Sequence, residues 1–326
     1  MRRDNRDNSG RSALVTGANA GIGLETAAQL AEAGYGTVIL VCRTTVKAEG
    51  ARTHLVQRTG RDPFIPLAAD LSEPAAAAAA AAELAARHQV VDLLILNAAM
   101  GTGAEKAYNS DGVELTFAST LIGHHVLAVR LLEEGLLAPH ARIVIAGSEV
   151  ARGDTAAGKV PDFADFAGRH FAGDLQQALA AIARFEAPYT ADPISFYGTC
   201  KVYTAWWAAA LARRLPPGMT VNAVSPGSVP STAFTRHQSF FLRSILYPLV
   251  ARIGPYVGLA GPVADAAGRY LQAADFDDAT TGQFFASPPG KVTGPLQLQK
   301  GEQFLDRSLQ EAGWQVISQL AGVAYG

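Results

Sequence analysis

Three side chains in this sequence have the types and the order for proton chemistry beside a carbonyl. Tyr197 and Lys201 stand at i and i+4, so a helix there carries a phenol and an ammonium on one face. A phenol with a reference pKa of about 10 is a poor acid or base near neutrality, and a nearby cation favours its ionised form. The pair therefore reads as a tuned proton donor, with Lys201 expected to lower the pKa of Tyr197. Ser148 closes Ala146-Gly147-Ser148 just beyond an apolar run of strand length and supplies a hydroxyl. A tyrosine and a lysine four residues apart recur by chance in long chains, so the pair gains its weight from the segments that precede it.

The first of these is Thr16-Gly17-Ala18-Asn19-Ala20-Gly21-Ile22-Gly23. Glycines at these places let the chain turn tightly, let backbone amides approach a pyrophosphate and aim the positive end of the following helix at that anion. Gly17, Asn19, Ala20, Gly21, Ile22 and Gly23 are the candidate phosphate-binding residues. The spacing differs from a plain GxGxxG, but the strand-turn-helix context that such a motif requires is present. After the second apolar run come Arg43 and, four residues on, Lys47, two cations on one helix face.

Positioning such groups calls for a particular scaffold. Strand-length apolar runs lie at Ala13 to Thr16, Thr37 to Cys42, Phe64 to Leu67, Val91 to Leu96, Arg142 to Ala146, Thr220 to Val224 and Gln283 to Ala286, with helical segments beginning near Gly21, Val46, Pro74, Gly112, Ser195 and Val263. Alternation of this kind predicts a doubly wound α/β fold, a seven-stranded parallel sheet covered on both faces. The eight alanines of Ala75 to Ala82, preceded by Ser72 as cap and Pro74 at the first turn, predict a helix and no function. Residues 1–11 read as a polar tail and 12–326 as one domain, with 149–194 an insertion before the Tyr-Lys helix and 230–262 a region over the substrate.

The spacing TGxxxGxG, the Ser148, Tyr197 and Lys201 order and the Rossmann pattern together resemble the short-chain dehydrogenase/reductase family. The resemblance implies an NADP(H)-dependent oxidoreductase, with Arg43 and Lys47 receiving the 2′-phosphate and Asp70-Leu71 beside the adenine. Asn97-Ala98 matches part of the family's NNAG segment, although Asn97 ending a buried strand reads equally as a strand cap. Pro226, Gly227 and Val229 would border the nicotinamide, and Ser231 its carboxamide or the pyrophosphate. Ser148 would orient the substrate carbonyl, Tyr197 would deliver the proton, and Lys201 would also hold the nicotinamide ribose. Thr120 stands where the family carries a fourth catalytic residue, an asparagine. Threonine can hold a water through its hydroxyl but lacks the amide's two donors. His124 and His125 read as packed side chains.

The separation of Ser148 from Tyr197, Val41-Cys42-Arg43, the Gly123-His124 step and the aromatic stretch Phe234 to Pro248 are similar to the light-dependent protochlorophyllide reductase branch of that family. Ser228, where the branch has cysteine, and Thr120 depart from it. Reduction of a bulky apolar carbonyl or activated double bond is the expected activity. The photoenzyme and an NADP-binding module with little turnover are the alternatives. The apolar stretch Phe240 to Val250 suits a hydrophobic substrate, a dimer contact or a membrane surface, so a homo-oligomer stays open.

Composition narrows the remaining classes. With 326 residues, 49% hydrophobic and 17% charged, the chain can bury a sizeable core, and 27 Lys and Arg against 29 Asp and Glu leave a net charge of −2. A general nucleic-acid partner is not expected without a clustered basic surface. Two cysteines, Cys42 and Cys200, form neither a disulfide framework nor a metal spacing, so no metal and a reducing, cytoplasmic setting are expected. The uncharged runs read as too short to span a membrane.

Overall fold

The computed structural model describes residues 7–101, 106–155, 158–229 and 260–326. Eight strands form one sheet: β1 (Ser12–Thr16), β2 (Thr37–Cys42), β3 (Phe64–Ala68), β4 (Val91–Leu96), β5 (Leu137–Ala146), β6 (Thr220–Val224), β7 (Phe284–Ala286) and β8 (Gln297–Leu298). Their order is β3-β2-β1-β4-β5-β6-β7-β8. The first seven are parallel. β8 runs antiparallel to β7, which makes the sheet one strand wider than expected. Two residues carry no periodic signal, so β8 was not legible. β5 also starts earlier than its apolar run, because Leu137 pairs with Val91 ahead of a register shift that Pro139 and His140 disguise.

The α-helices among the described residues are, in chain order, α1 (Gly21–Glu32), α2 (Thr45–Thr59), α3 (Pro74–Ala86), α4 (Leu115–Phe117), α5 (Gly123–Glu133), α6 (Phe163–His170), α7 (Leu175–Ala183), α8 (Pro193–Ala212), α9 (Val263–Ala274), α10 (Glu302–Leu305) and α11 (Arg307–Ala321). Successive strand residues face opposite sides of the sheet, and both sides are buried. Ala13, Val15, Leu40 and Ile95 pack under α1, α2 and α9, while Leu14, Ile39, Leu94 and Ile145 pack under α3, α5, α8 and α11. The alanine run of α3 buries Ala77, Ala80, Ala81 and Leu84 at helical spacing. Its cap position falls on Glu73 rather than Ser72, whose hydroxyl donates instead to Asp70 at 2.7 Å.

Among the described residues one helical run, Leu115 to Glu133, is long and apolar enough to cross a membrane by length and composition, although it carries Arg130 and Glu133. Because 83% of that window is buried inside the protein, it reads as a core helix. The insertion contributes a 3₁₀ turn (Glu149–Arg152), α6 and α7, and aromatic packing holds it to α8. Phe185 stacks on Phe196 at 4.2 Å, and Phe163 meets Trp206 edge-on at 4.7 Å. Of the region expected over the substrate, only residues 260–262 are described.

Candidate active site

The strand order reverses between β1 and β4, and the carboxyl ends of these strands open the crevice where ligands of doubly wound folds bind. Thr16, the last residue of β1, ties that edge together. Its hydroxyl accepts the amides of Asn97 and Ala98 at 2.8 and 2.9 Å and lies 2.9 Å from His124 Nε2. The Asn97 amide group donates back to the Thr16 carbonyl at 2.9 Å. Asn97 thus acts as the strand cap, and Asn97 and Ala98 bring β4 against the glycine turn. Gly17 and Gly21 take left-handed φ of +68° and +54°, which favours glycine. A Cβ on Gly23 would lie 2.4 Å from the Gly17 carbonyl, so the third glycine is required by close packing. α1 begins at Gly21 with no side-chain cap and no acidic residue in its first turn. Ala20 is the cap position, and Asn19 and Ile22 flank it half-buried.

Asn19, Leu24, Lys47, Gly50, Ala51 and His54 line a cavity of about 340 Å³ between this turn and α2. Arg43, ahead of the Thr44 cap of α2, is exposed, and Lys47, in the first turn of α2, is half-buried, so the two cations do not share a helix face as the spacing suggests. Leu71 is buried, and Asp70 is half-buried and accepts the Ser72 amide at 3.1 Å, so its carboxylate is engaged in the turn that starts α3.

Ser148, Tyr197 and Lys201 meet at the far end of the same edge. Ser148, in extended conformation, precedes the 3₁₀ turn. Its hydroxyl lies near enough to the Tyr197 phenol to pull that phenol's pKa down. Lys201 is 1% exposed, its Nζ donates to the Ala146 carbonyl at 2.7 Å and lies 5.4 Å from the centre of the Tyr197 ring. The electrostatics differ from the sequence expectation. Burial pushes the Tyr197 phenol up, with only the Ser148 hydroxyl pulling it down, and burial pushes Lys201 down to about 8. Desolvation outweighs the pair attraction because both groups are taken out of water together.

Thr120 lies in a π turn, Ala118–Ile122, between α4 and α5, and its buried hydroxyl has no hydrogen-bond partner among the described residues. The Thr120 carbonyl accepts from His124 Nδ1 at 2.8 Å, which leaves Nε2 to accept from Thr16. His125 accepts from Trp207 Nε1 at 3.1 Å and donates to the Val323 carbonyl at 2.9 Å. Both rings are packed and neutral, held down to about 3 and about 4 chiefly by burial.

Pro226, Gly227 and Val229 are half-buried beyond β6. The Gly227 amide donates to the Ser225 hydroxyl at 3.2 Å, and the Ser228 amide to the Val292 carbonyl at 2.8 Å. Ser231 lies outside the described residues, as do Phe234 to Pro248 and Phe240 to Val250. Cys42 and Cys200 are free and buried.

The family model described as short chain dehydrogenase matches residues 11–182, more than half of the chain. The chain belongs to the short-chain dehydrogenase family. It is similar to the chloroplast protochlorophyllide reductase of Chlamydomonas reinhardtii, with 26% identity over 323 residues, covering 96% of this chain and 78% of that one. Similarity to dehydrogenase/reductase SDR family member 13 of Bos taurus is 28% over 320 residues, covering 97% and 74%. Among solved structures, an uncharacterised protein from Mycobacterium paratuberculosis superposes with a TM-score of 0.67 at 22% identity, covering 97% of this chain and 95% of that one. A short chain dehydrogenase from Burkholderia cenocepacia in complex with NADP gives 0.59 at 22%, covering 86% and 96%. These two likenesses speak for the fold.

Within this short-chain dehydrogenase, the sequence reading missed the parts of the site that act through neighbours. Thr16 opens the glycine motif in the sequence, yet in the fold it joins β1, β4 and α5. Glu149 and Arg269 were not singled out, and they meet behind Ser148. Their one sequence signal was position, a carboxylate next to Ser148 and an arginine within an otherwise apolar helix face.

Proposed function

We propose that this chain is an NADP(H)-dependent oxidoreductase that reduces a bulky, apolar carbonyl compound or activated double bond, with Tyr197 as proton donor. The observation that carries this reading is the buried Lys201, hydrogen-bonded to the Ala146 carbonyl and 5.4 Å from the centre of the Tyr197 ring, with Ser148 acting on the same phenol at the sheet's carboxyl edge. The residues present fit the cofactor. Two left-handed glycines and an uncapped helix start leave backbone amides for a pyrophosphate. Gly17, Asn19, Ala20, Gly21, Ile22 and Gly23 hold it, Arg43 and Lys47 receive the 2′-phosphate, and Asp70, Leu71, Asn97 and Ala98 border the adenosine side. Pro226, Gly227 and Val229, with Ser231, border the nicotinamide. When bound, NADPH supplies the hydride.

Ser148 donates to the substrate oxygen and holds it beside the Tyr197 hydroxyl. Burial keeps Tyr197 a neutral phenol at pH 7, so its proton is in place to be given to the same oxygen. As that proton leaves, the Lys201 ammonium faces the developing phenolate and stabilises it. The Thr120 hydroxyl, without a hydrogen-bond partner among the described residues, is placed to hold a water in the reprotonation path. Protochlorophyllide is the second candidate substrate, favoured by relatives of that name across nearly the whole chain. Ser228 and Thr120, in place of that branch's cysteine and asparagine, count against it.

A panel of ketones, quinones and aldehydes with NADPH, run beside protochlorophyllide with and without light, tests the reading. Tyr197→Phe should lower turnover of any accepted compound about a thousandfold while NADPH affinity stays within about twofold. Reduction only under illumination identifies the photoenzyme. Tight NADPH binding with no turnover of anything makes the chain a binding module.

A further inference from the structure

Directly after Ser148 the chain buries a charge that the chemistry above does not use. The Glu149 carboxylate faces the Arg269 guanidinium of α9 at 3.3 Å, with 5% and 11% of the two side chains exposed. Enclosed charges are tolerated only when they are paired and otherwise satisfied, and here the satisfaction comes from the ends of β6 and β7 and the loop beyond β7. Glu149 Oε1 accepts the Ser287 amide at 3.2 Å and the Ser287 hydroxyl at 2.9 Å, and Oε2 accepts the Ser225 hydroxyl. Arg269 donates through Nη1 to the Ser225 carbonyl at 3.0 Å and through Nη2 to the Ser287 hydroxyl at 3.0 Å and the Gly294 carbonyl. The Ser225 hydroxyl bound to Glu149 itself accepts the Gly227 amide. Gly227 has a φ of +83°, and a Cβ there would come within 2.8 Å of Arg269 Nη1, so the turn rests directly on the guanidinium.

We infer that Glu149 and Arg269 are positioning residues that lock the Pro226-Gly227 turn against the Ser148 strand end, fixing where the nicotinamide sits relative to the substrate oxygen. The inference rests on the cofactor reading above. Ser148 orients the carbonyl from β5, and Pro226-Gly227 borders the hydride donor from β6. Without a cross-link the two loop ends could move independently, and a misplacement of about 1 Å costs about a hundredfold in such reactions. One carboxylate, covalently next to Ser148 and hydrogen-bonded through Ser225 to Gly227, makes the two ends one unit. The fork of Arg269 reaches the carboxylate, both serines and a loop carbonyl from separate nitrogens, which a lysine does not reproduce.

The test uses Glu149→Gln and Ser225→Ala in the full chain. Ser225→Ala is the milder variant, because Glu149 keeps its donors from Ser287 and Arg269. Two nucleotides are titrated: NADPH, which reaches the Pro226-Gly227 turn, and 2′,5′-ADP, which carries only the adenosine half. Each variant should weaken NADPH by about tenfold and leave 2′,5′-ADP unchanged. Amide exchange at Gly227 should quicken by about tenfold or more while β2 amides hold their rates. Equal weakening of both nucleotides, or exchange at Gly227 unchanged in Ser225→Ala, overturns the inference. Wild-type protein that binds neither nucleotide overturns the cofactor reading instead, and the exchange arm then still decides whether the carboxylate holds the turn. If Glu149→Gln fails to fold, Ser225→Ala alone decides.

Discussion

The two ends of the proposed cofactor cleft are made of different materials. At the adenosine end, the ligand would meet backbone amides of a glycine turn and two cations within reach of solvent, Arg43 exposed and Lys47 half-buried. At the nicotinamide end the polar groups are enclosed: Lys201 is 1% exposed, His124 is 1% and Glu149 is 4%. The first kind of surface binds by geometry of the main chain and long-range charge. The second holds a few side chains still by mutual hydrogen bonds in low dielectric, where each bond is stronger and each missing partner more costly. An end built from backbone should fail by shape, and an end built from buried polar groups should fail by protonation.

The largest expected effect is therefore the acid sensitivity of the enclosed polar groups, which include His124 at the cleft and His125 in the core between Trp207 and Trp314. His124 and His125 are neutral, held down to about 3 and about 4, while in the unfolded chain each takes up a proton near pH 6.5. Their contribution is fully present above pH 6.5 and is lost as the pH falls toward 4. Each then removes about 1.4 kcal/mol of stability per pH unit across that window. Glu114, a buried helix cap whose carboxyl burial pushes up, runs the opposite way and is relieved by acid. Melting temperatures from pH 7.5 to 4.5 should fall steeply, and His125→Gln should flatten the slope by about half. A wild-type profile flat between pH 6.5 and 5 would break the contrast between the two ends.

The same contrast explains what the sequence disclosed. Gly17 to Gly23, Arg43 and Lys47, and Tyr197 and Lys201 act at separations of a few residues, so spacing alone reports them. The Glu149 to Ser225, Ser287 and Arg269 contacts join residues 76, 138 and 120 positions apart, and no local pattern encodes such a meeting. The strands that bear them were legible from their apolar runs, except the two-residue β8 and the start of β5. The pKa directions were not legible, because they follow from burial, and a Tyr-x-x-x-Lys spacing says nothing of how much water the pair retains. In the sequence Thr120 is a substitution in a motif; its π turn, and a hydroxyl without a partner among the described residues, emerge only once α4 and α5 are continuous.

Shape failure at the adenosine end is tested by Gly23→Ala. The new methyl carbon would come 2.4 Å from the Gly17 carbonyl oxygen and 2.6 Å from Asn97 Nδ2, closer than such carbons pack. The turn or the Asn97 cap must move, at a cost of about 1 to 3 kcal/mol. NADPH affinity should drop about thirtyfold, and 2′,5′-ADP should drop with it because both need the pyrophosphate turn or its neighbours. A variant that binds NADPH like wild type would mean that the turn does not hold the pyrophosphate.

The smallest effect belongs to the exposed cations, and it sharpens the comparison because it should leave the buried end untouched. A charge in contact with water contributes little beyond its direct partner and is screened by salt. Lys47→Ala and Arg43→Ala should each weaken NADPH by about tenfold at low ionic strength, less at high salt, with NADH affinity constant. Titration of both cofactors at two salt concentrations measures this. Equal losses for NADPH and NADH would remove the 2′-phosphate from these residues, and a loss that ignores salt would place the lysine among the enclosed groups. If the discrimination is instead lost only in the double variant, each cation substitutes for the other, as expected where two long side chains reach one phosphate from the same turn of α2 and the loop before it.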